Sequence, residues 1–275
     1  MITSRSNPRL RAAAALRDRG ERTARGLTLV DGGRETLRAI DAAITLEELF
    51  VAPELVRGDD ARSAVARAAE AGIPSVELSP AAFERLAFGD RSDGIVAVVR
   101  IPSTSLDDVD DRLPPDPLVV VLEAVEKPGN LGAVLRSADG AGASALVAAD
   151  PRTDLWNPNA IRASIGTIFA LPLAAAPTAD VLGWLRRRGM RIVAARVDGA
   201  TRHDRVDLTG PLAIALGSES RGLSDGWRGD DVVGIRLPML GIADSLNVST
   251  AAAILLYESR RQRDAGSRGL PRSDD

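Results

Sequence analysis

Residues 118–122 are five apolar side chains in a row, LVVVL, with no polar position between them. A strand that shows one face to water alternates polar and apolar residues. An unbroken run of this length fits a strand covered on both faces, as in a parallel sheet. The rest of the second half continues in that style. Residues 130–141 carry helical spacing, 145–148 read as a strand, and 159–169 and 181–188 as helices. Residues 191–195, 212–216 and 232–237 read as further strands, and 246–263 as a long closing helix. Strands alternating with helices predict a doubly wound α/β domain, which binds ligands at the carboxyl ends of its strands.

The first hundred residues alternate as well. Helices are expected over 7–19, 33–43, 61–71 and 80–88, with strands over 27–30, 46–52, 75–78 and 94–99. This predicts a small α/β domain over 1–101. Pro, Ser and Asp dominate 102–116 and no apolar period survives there, so that stretch reads as a linker. The parallel-sheet domain is then 117–263, and the polar segment 264–275 is expected to be a disordered tail.

Composition removes whole classes of chemistry. There is no cysteine, which excludes disulfides and thiolate metal sites. A single histidine, His203, rules out a multi-histidine site, so no metal is expected. No Ser–His pair of the hydrolase kind is visible, and GxGxxG and GxxxxGK[ST] are both absent. The acidic pairs Asp59-Asp60, Asp110-Asp111 and Asp230-Asp231 lie in polar stretches and read as solvated. No run reaches the roughly 18 apolar residues of a membrane span, and 1–25 lack the apolar core of a signal peptide, so a cytoplasmic protein is expected. The net charge of −3 does not advertise nucleic-acid binding, but seven arginines against Asp18 and Glu21 give residues 1–25 a local +5. Arg5, Arg9 and Arg11 there are candidates for phosphate contacts, and Arg152, Arg162 and Arg221 for local RNA contacts elsewhere.

Three loops that follow strands could carry chemistry. In the first, EAVEKPGNLGAVLR over 123–136, Asn130 is placed to cap the next helix, and Gly129 and Gly132 allow close backbone approach. Arg136 lies less than two helical turns beyond Asn130, so its guanidinium could reach back over the loop. The second, GSESRGLS over 217–224, sets Gly217 at a tight turn and Glu219 at a strand end. In the third, Pro238 ends a strand and the loop feeds a helix with Ser245 or Asn247 near its start. Each loop alone could be a capped helix or an ordinary turn.

Together they resemble the three signature motifs of the SpoU (TrmH) family of RNA ribose methyltransferases in the SPOUT superfamily. N-x-G-x-x-x-R is matched by Asn130, Gly132 and Arg136, and G-S-E-x-x-G-L-S by residues 217–224. P-M-x-G-x-x-x-S-L-N-V-S is matched by residues 238–249. Ser220 and Arg221 stand where a glycine and a variable residue commonly follow the Glu. More loosely, SNPR over 6–9 and LVDGGRE over 29–35 resemble the opening of the L30e-like substrate-binding domain that many members carry.

The resemblance implies a deep trefoil knot at the C-terminal end of the catalytic domain, against the general rarity of knots. It implies a homodimer in which both subunits build each active site, and S-adenosylmethionine as cofactor. Backbone around Gly217, Leu237 and Leu246 would hold the adenosyl part. Leu216, Ser218, Gly222, Ile235, Met239, Ser245 and Asn247 complete the implied cofactor set. Asn130, Arg136, Glu219, Ser245 and Asn247 form the implied catalytic set, with Arg136 also touching RNA. Arginine is an awkward base, so Arg136 either relays the proton of the 2′-hydroxyl or fixes ribose and phosphate. The N-terminal domain points to 23S rRNA as substrate. The other readings are a tRNA methyltransferase, an antibiotic-resistance rRNA methyltransferase, or a silent RNA-binding relative.

Overall fold

A computed structural model describes residues 1–88 and 93–267. The chain divides into two compact units, Met1–Pro102 with Asp154–Ala170, and Ser103–Thr153 with Leu171–Asp275.

The first unit contains α1 (Pro8–Ala15), α2 (Arg19–Arg25), β1 (Leu27–Asp31), α3 (Gly33–Asp41), β2 (Leu46–Val51), α4 (Gly58–Glu70), β3 (Ser75–Glu77), α5 (Pro80–Phe83) and β4 (Ile95–Arg100). Its sheet runs β1-β4-β2-β3, antiparallel except for the β2–β3 pair. Leu29, Phe50, Val76, Phe83 and Val96 bury one face under α1, whose Leu10 and Ala13 are covered with them. The α1 helix starts where it does because the Asn7 side chain accepts the Arg9 N–H at 2.9 Å and Pro8 needs no donor partner.

In the second unit, α6 (Leu106–Asp110) leads into β5 (Leu118–Glu123), α7 (Pro128–Gly140) and β6 (Ala145–Ala149). The chain then contributes α8 (Pro158–Ala163) to the first unit, and returns as β7 (Leu173–Ala176), α9 (Thr178–Arg187), β8 (Arg191–Ala195), β9 (Thr201–Arg202), β10 (Leu212–Leu216), β11 (Val232–Arg236) and α10 (Val248–Ser267). The sheet order is β7-β6-β5-β10-β8-β11-β9, with every neighbouring pair parallel. All six residues of β5 and all five of β10 are buried, as the unbroken apolar run predicted.

Four expectations change. The 102–116 stretch is no linker from Ser103 onward: α6 is capped by Ser105, and Val109 is buried in the second unit's core beside Leu106 and Leu113. Residues 154–170 belong to the first unit, although strands of the second flank them. Their helix is shorter than expected, Pro158–Ala163, followed by a single turn at Thr167–Phe169. The closing helix starts at Val248 rather than 246 and continues past Arg263 to Ser267; the remainder of the expected tail, 268–275, lies outside the described residues.

The basic N-terminal stretch is not a free arm either. Arg22 is 2% exposed, pairs with Asp154 at 2.6 Å, and donates to the carbonyls of Leu16 and Arg17 at 2.8 Å each. Arg5 pairs with Glu84 and Arg9 with Glu48, while Arg11 stays exposed and makes no side-chain bond among the described residues. Arg162 bonds the Phe88 carbonyl and pairs with Asp31 at 3.4 Å inside the first unit. Among the described residues no helix is long and apolar enough to cross a membrane.

Candidate active site

Register explains why distant loops meet. Leu216 of β10 lies opposite Leu122 of β5 on one side and Ala195 of β8 on the other, and Ala195 lies opposite Ile235 of β11. Four neighbouring parallel strands therefore end level, and the loops that leave them share one rim. The turn out of β5 is abrupt, with Ala124 at φ 52°, a conformation a non-glycine residue holds only when its surroundings impose it.

The 217–224 loop doubles back on itself. Gly222 N–H donates to the Ser218 carbonyl at 2.9 Å, and Arg221 N–H to Ser218 Oγ at 3.2 Å. A Cβ on Gly217 would sit 2.0 Å from the Gly222 carbonyl carbon, so only glycine fits there. Gly222 takes φ +67° to close the turn.

Asn247 is the hub of the polar cluster. Its Nδ2 lies 3.4 Å from Asn130 Oδ1 and 3.3 Å from Glu219 Oε1, long bonds that join all three motif loops. Its Oδ1 accepts the Ser249 N–H at 2.9 Å and the Ser249 hydroxyl at 2.6 Å, capping α10 and fixing which face of the amide carries the donors. Glu219 also pairs with Lys127 Nζ at 3.0 Å. Lys127 is the chain's one lysine. Ser220 Oγ donates to Glu126 at 3.2 Å, and Glu126 pairs with Arg152 at the same distance.

Two cavities adjoin on this rim. One, of about 390 Å³, is lined by Leu237, Pro238, Met239, Asp244, Ser245 and Leu246. The other, of about 550 Å³, is lined by Leu216, Gly217, Ser218, Glu219, Gly222 and Asn247 among others. Ala195, Arg196, Val197, Ser245 and Leu246 line both. The larger also takes in Asp198, whose carboxyl is held below the usual range chiefly by its bond from Arg228 at 2.9 Å, as well as Arg221.

Of the residues singled out from sequence, Asn130, Glu219 and Asn247 are thus brought together, and Leu216, Gly217, Ser218, Gly222, Leu237, Met239, Ser245 and Leu246 line the cavities. Ile235 lines neither; it is fully buried in β11, and its carbonyl accepts the Arg196 N–H at 2.8 Å. Asn130 does not cap α7, because that helix already starts at Pro128. Gly129 has open space around it rather than a close neighbour. Arg136 is exposed and makes no side-chain bond or ion pair among the described residues. Six helical steps of about 100° turn it roughly 240° from Asn130, so it does not reach back over the loop.

Five residues at or beside the site carry no role in the sequence reading: Arg196, Val197, Asp198, Lys127 and Glu123. Arg196, Val197 and Asp198 follow β8, and the rule that ligands sit at the carboxyl ends of parallel strands would have drawn attention to them. Lys127 stands out in the sequence as the lone lysine, though nothing there gives it a role. Glu123 carries no such signal, since it ends an apolar run like any residue leaving a strand.

A parallel α/β sheet with these three loops gathered on one rim defines a SpoU-type methylase. The chain belongs to the SpoU rRNA methylase family, whose model matches residues 117–257. The MRM3-like substrate binding domain matches residues 7–97. A 23S rRNA uridine 2′-O-methyltransferase of Streptomyces viridochromogenes is 31% identical over 96% of this chain and 93% of the relative. A 23S rRNA guanosine-2′-O-methyltransferase of Ralstonia nicotianae is 33% identical over 83% of this chain and 92% of its own. Among solved structures, an RNA 2′-O ribose methyltransferase superposes with a TM-score of 0.84 at 39% identity, covering 95% of this chain and 98% of the other. A SpoU methyltransferase of Streptomyces viridochromogenes in complex with AdoMet also reaches 0.84, at 30% identity over 94% and 99%.

Proposed function

We propose that this chain transfers a methyl group from S-adenosylmethionine to a ribose 2′-hydroxyl of 23S rRNA. The observation that carries the reading is the joining of Asn130, Glu219 and Asn247 by one amide, beside cavities walled by Gly217, Leu237, Leu246 and Met239. Relatives named as 23S rRNA 2′-O-methyltransferases over nearly the whole chain support the substrate.

The cavities suit the cofactor. Leu237, Met239, Leu246 and Val197 offer an apolar slot for a flat base, and Gly217 leaves backbone bare where a side chain would intrude. Glu219, Asp198 and Asp244 give carboxylates for a cationic ligand. When bound, the cofactor supplies an electrophilic methyl on a sulfonium. The protein's own part is to hold the ribose in line and remove the hydroxyl proton. Asn247, oriented through its bonds to Ser249, presents its amide hydrogens to Glu219 and Asn130. Glu219 thereby keeps a fixed carboxylate at the rim, tethered also by Lys127.

Arg136 grips ribose and its adjacent phosphate as a two-pronged donor. Its exposure, its lack of partners among the described residues and its rotation away from Asn130 support its acting in the site of a second subunit, hence a homodimer. The out-of-sequence strand order and the proximity of the 217–224 and 237–247 loops support a deep trefoil knot in 117–263. The four-stranded first unit and its match to a substrate-binding model support an L30e-like RNA-gripping domain, with Arg5, Arg9 and Arg11 as phosphate contacts. Exposed ion pairs like those of Arg5 and Arg9 are worth little, so a phosphate can replace the carboxylate.

The test is methyl transfer from radiolabelled S-adenosylmethionine to total RNA of a strain lacking the gene. Label in 23S rRNA, recovered as an alkali-resistant 2′-O-methyl dinucleotide, is expected. Label confined to tRNA would overturn the substrate, and no label in any RNA would overturn the activity.

A further inference from the structure

At the carboxyl end of β5 stands a carboxylate that the proposed chemistry does not use. Glu123 is 5% exposed, and among the described residues it has no cationic partner. A buried carboxylate left unbonded would be costly, so its oxygens are fully engaged. Oε2 accepts the Ser224 N–H at 2.6 Å. Oε1 accepts the Ser224 hydroxyl at 2.7 Å and the Thr178 hydroxyl at 2.9 Å. Thr178 is the first residue of α9, and its N–H donates to Asp150 at the end of β6 at 3.0 Å. One side chain thus ties β5, the first turn of α9 and the far end of the 217–224 loop.

That loop is held in two different ways. The turn between Ser218 and Gly222 closes on itself through local bonds, which travel with the loop wherever it goes. Its location is another matter. At the start Gly217 continues β10; at the end two bonds from Ser224 run to Glu123. Gly217, Ser218, Glu219 and Gly222 all line the larger cavity between those two anchors. Cutting the Glu123 anchor leaves a well-formed turn whose far end is then held by Leu223 on the core and by the bonds of Glu219 to Asn247 and Lys127 and of Ser220 to Glu126.

We propose that Glu123 is a positioning residue that sets the affinity for the methyl donor by anchoring the 217–224 loop through Ser224. This rests on the function proposed above. Glu123 touches neither ligand in this scheme and acts only through the loop it anchors, whose Gly217, Ser218 and Gly222 wall the larger cavity.

The experiment is calorimetric titration of the full chain with S-adenosylmethionine, with methyl-transfer kinetics alongside. Glu123→Ala should weaken binding about tenfold or more, since it deletes charge-assisted bonds to two residues. The KM for the donor should rise in step. Glu123→Gln should restore most of the affinity, because one amide oxygen still accepts from Ser224 N–H and the hydroxyls can turn. Ser224→Ala should weaken binding about threefold, and adding it to Glu123→Ala should change nothing further. Wild-type affinity in Glu123→Ala, or a fallen kcat at unchanged affinity, overturns the proposal. If Glu123→Ala does not fold, Ser224→Ala decides: unchanged affinity there overturns it equally. A wild-type chain that binds no S-adenosylmethionine would instead overturn the proposed function.

Discussion

Gly217→Ala is the smallest perturbation that should disable the cofactor site, and its magnitude follows from the structure. A methyl added at Gly217 would lie 2.0 Å from the Gly222 carbonyl carbon, 2.2 Å from its oxygen and 2.2 Å from Leu223 N. Contacts under 3.0 Å are essentially never seen for a real Cβ, so the two arms of the loop must separate by 3.0 − 2.0, or at least 1.0 Å. All three obstacles are backbone atoms, so no side-chain rotation relieves the clash. Overpacking of this kind costs about 1–3 kcal/mol. Since the displaced atoms line the larger cavity, the affinity for S-adenosylmethionine should fall about ten- to a hundredfold, read by calorimetry beside a thermal melt. Gly222→Ala is the control. It meets nothing within 4 Å and bears only the strain of φ +67°, about 1–2 kcal/mol against stability. Its affinity should stay within about fivefold of wild type. Gly217→Ala binding as tightly as wild type would refute the close-approach reasoning.

Three further outcomes are expected. If the chain forms the proposed homodimer, mixing inactive Arg136→Ala with inactive Asn247→Ala should restore about a quarter of wild-type activity, because half of such dimers would carry one intact site of two; no recovery after subunit exchange would refute a shared site. Asp154→Ala leaves Arg22 buried without its carboxylate and should destabilise the chain by about 3 kcal/mol in urea unfolding, whereas a change under about 1 kcal/mol would show the pair to be dispensable. Burial, with Asp93 and Glu35 nearby, pushes the Asp31 carboxyl up from 3.8 to about 6, against the Phe88 N–H and Arg162. The folded chain then holds that proton more tightly than the unfolded one, so stability falls as pH rises from about 4 to 6, by up to about 3 kcal/mol. Asp31→Asn should flatten that slope in urea titrations across the window; an unchanged slope would assign it to other groups.

Much of the site could be read without coordinates. Asn130, Glu219 and Asn247 lie in sequence-contiguous motifs, and the first two follow strands that are unbroken apolar runs, LVVVL and LAIAL. Parallel strands ending level do the rest, so the order of the loops already implied a common rim. Arg136 was different. Its distance along the helix was legible, but its direction depends on where α7 begins and on which face packs against the sheet. Ile235 differs likewise: it lies on the expected strand, but the pleat turns its side chain into the core and away from both cavities.

By itself, then, the sequence determined the class of each half and most of the residues that meet on the rim, because periodicity and local motifs are properties of neighbouring positions. Only the tertiary structure decided partnership. It placed 154–170 in the first unit, where Arg22, the Thr28 hydroxyl and Arg38 bond Asp154, the Trp156 carbonyl and the Ile165 carbonyl. It turned a Pro- and Asp-rich stretch into α6 through one buried valine, and gave Glu123 its loop to hold. An apolar pattern says that a segment will be covered, and a charge says that it needs a partner. Neither names the partner, because the groups that answer lie tens of residues away and meet only when the chain has packed.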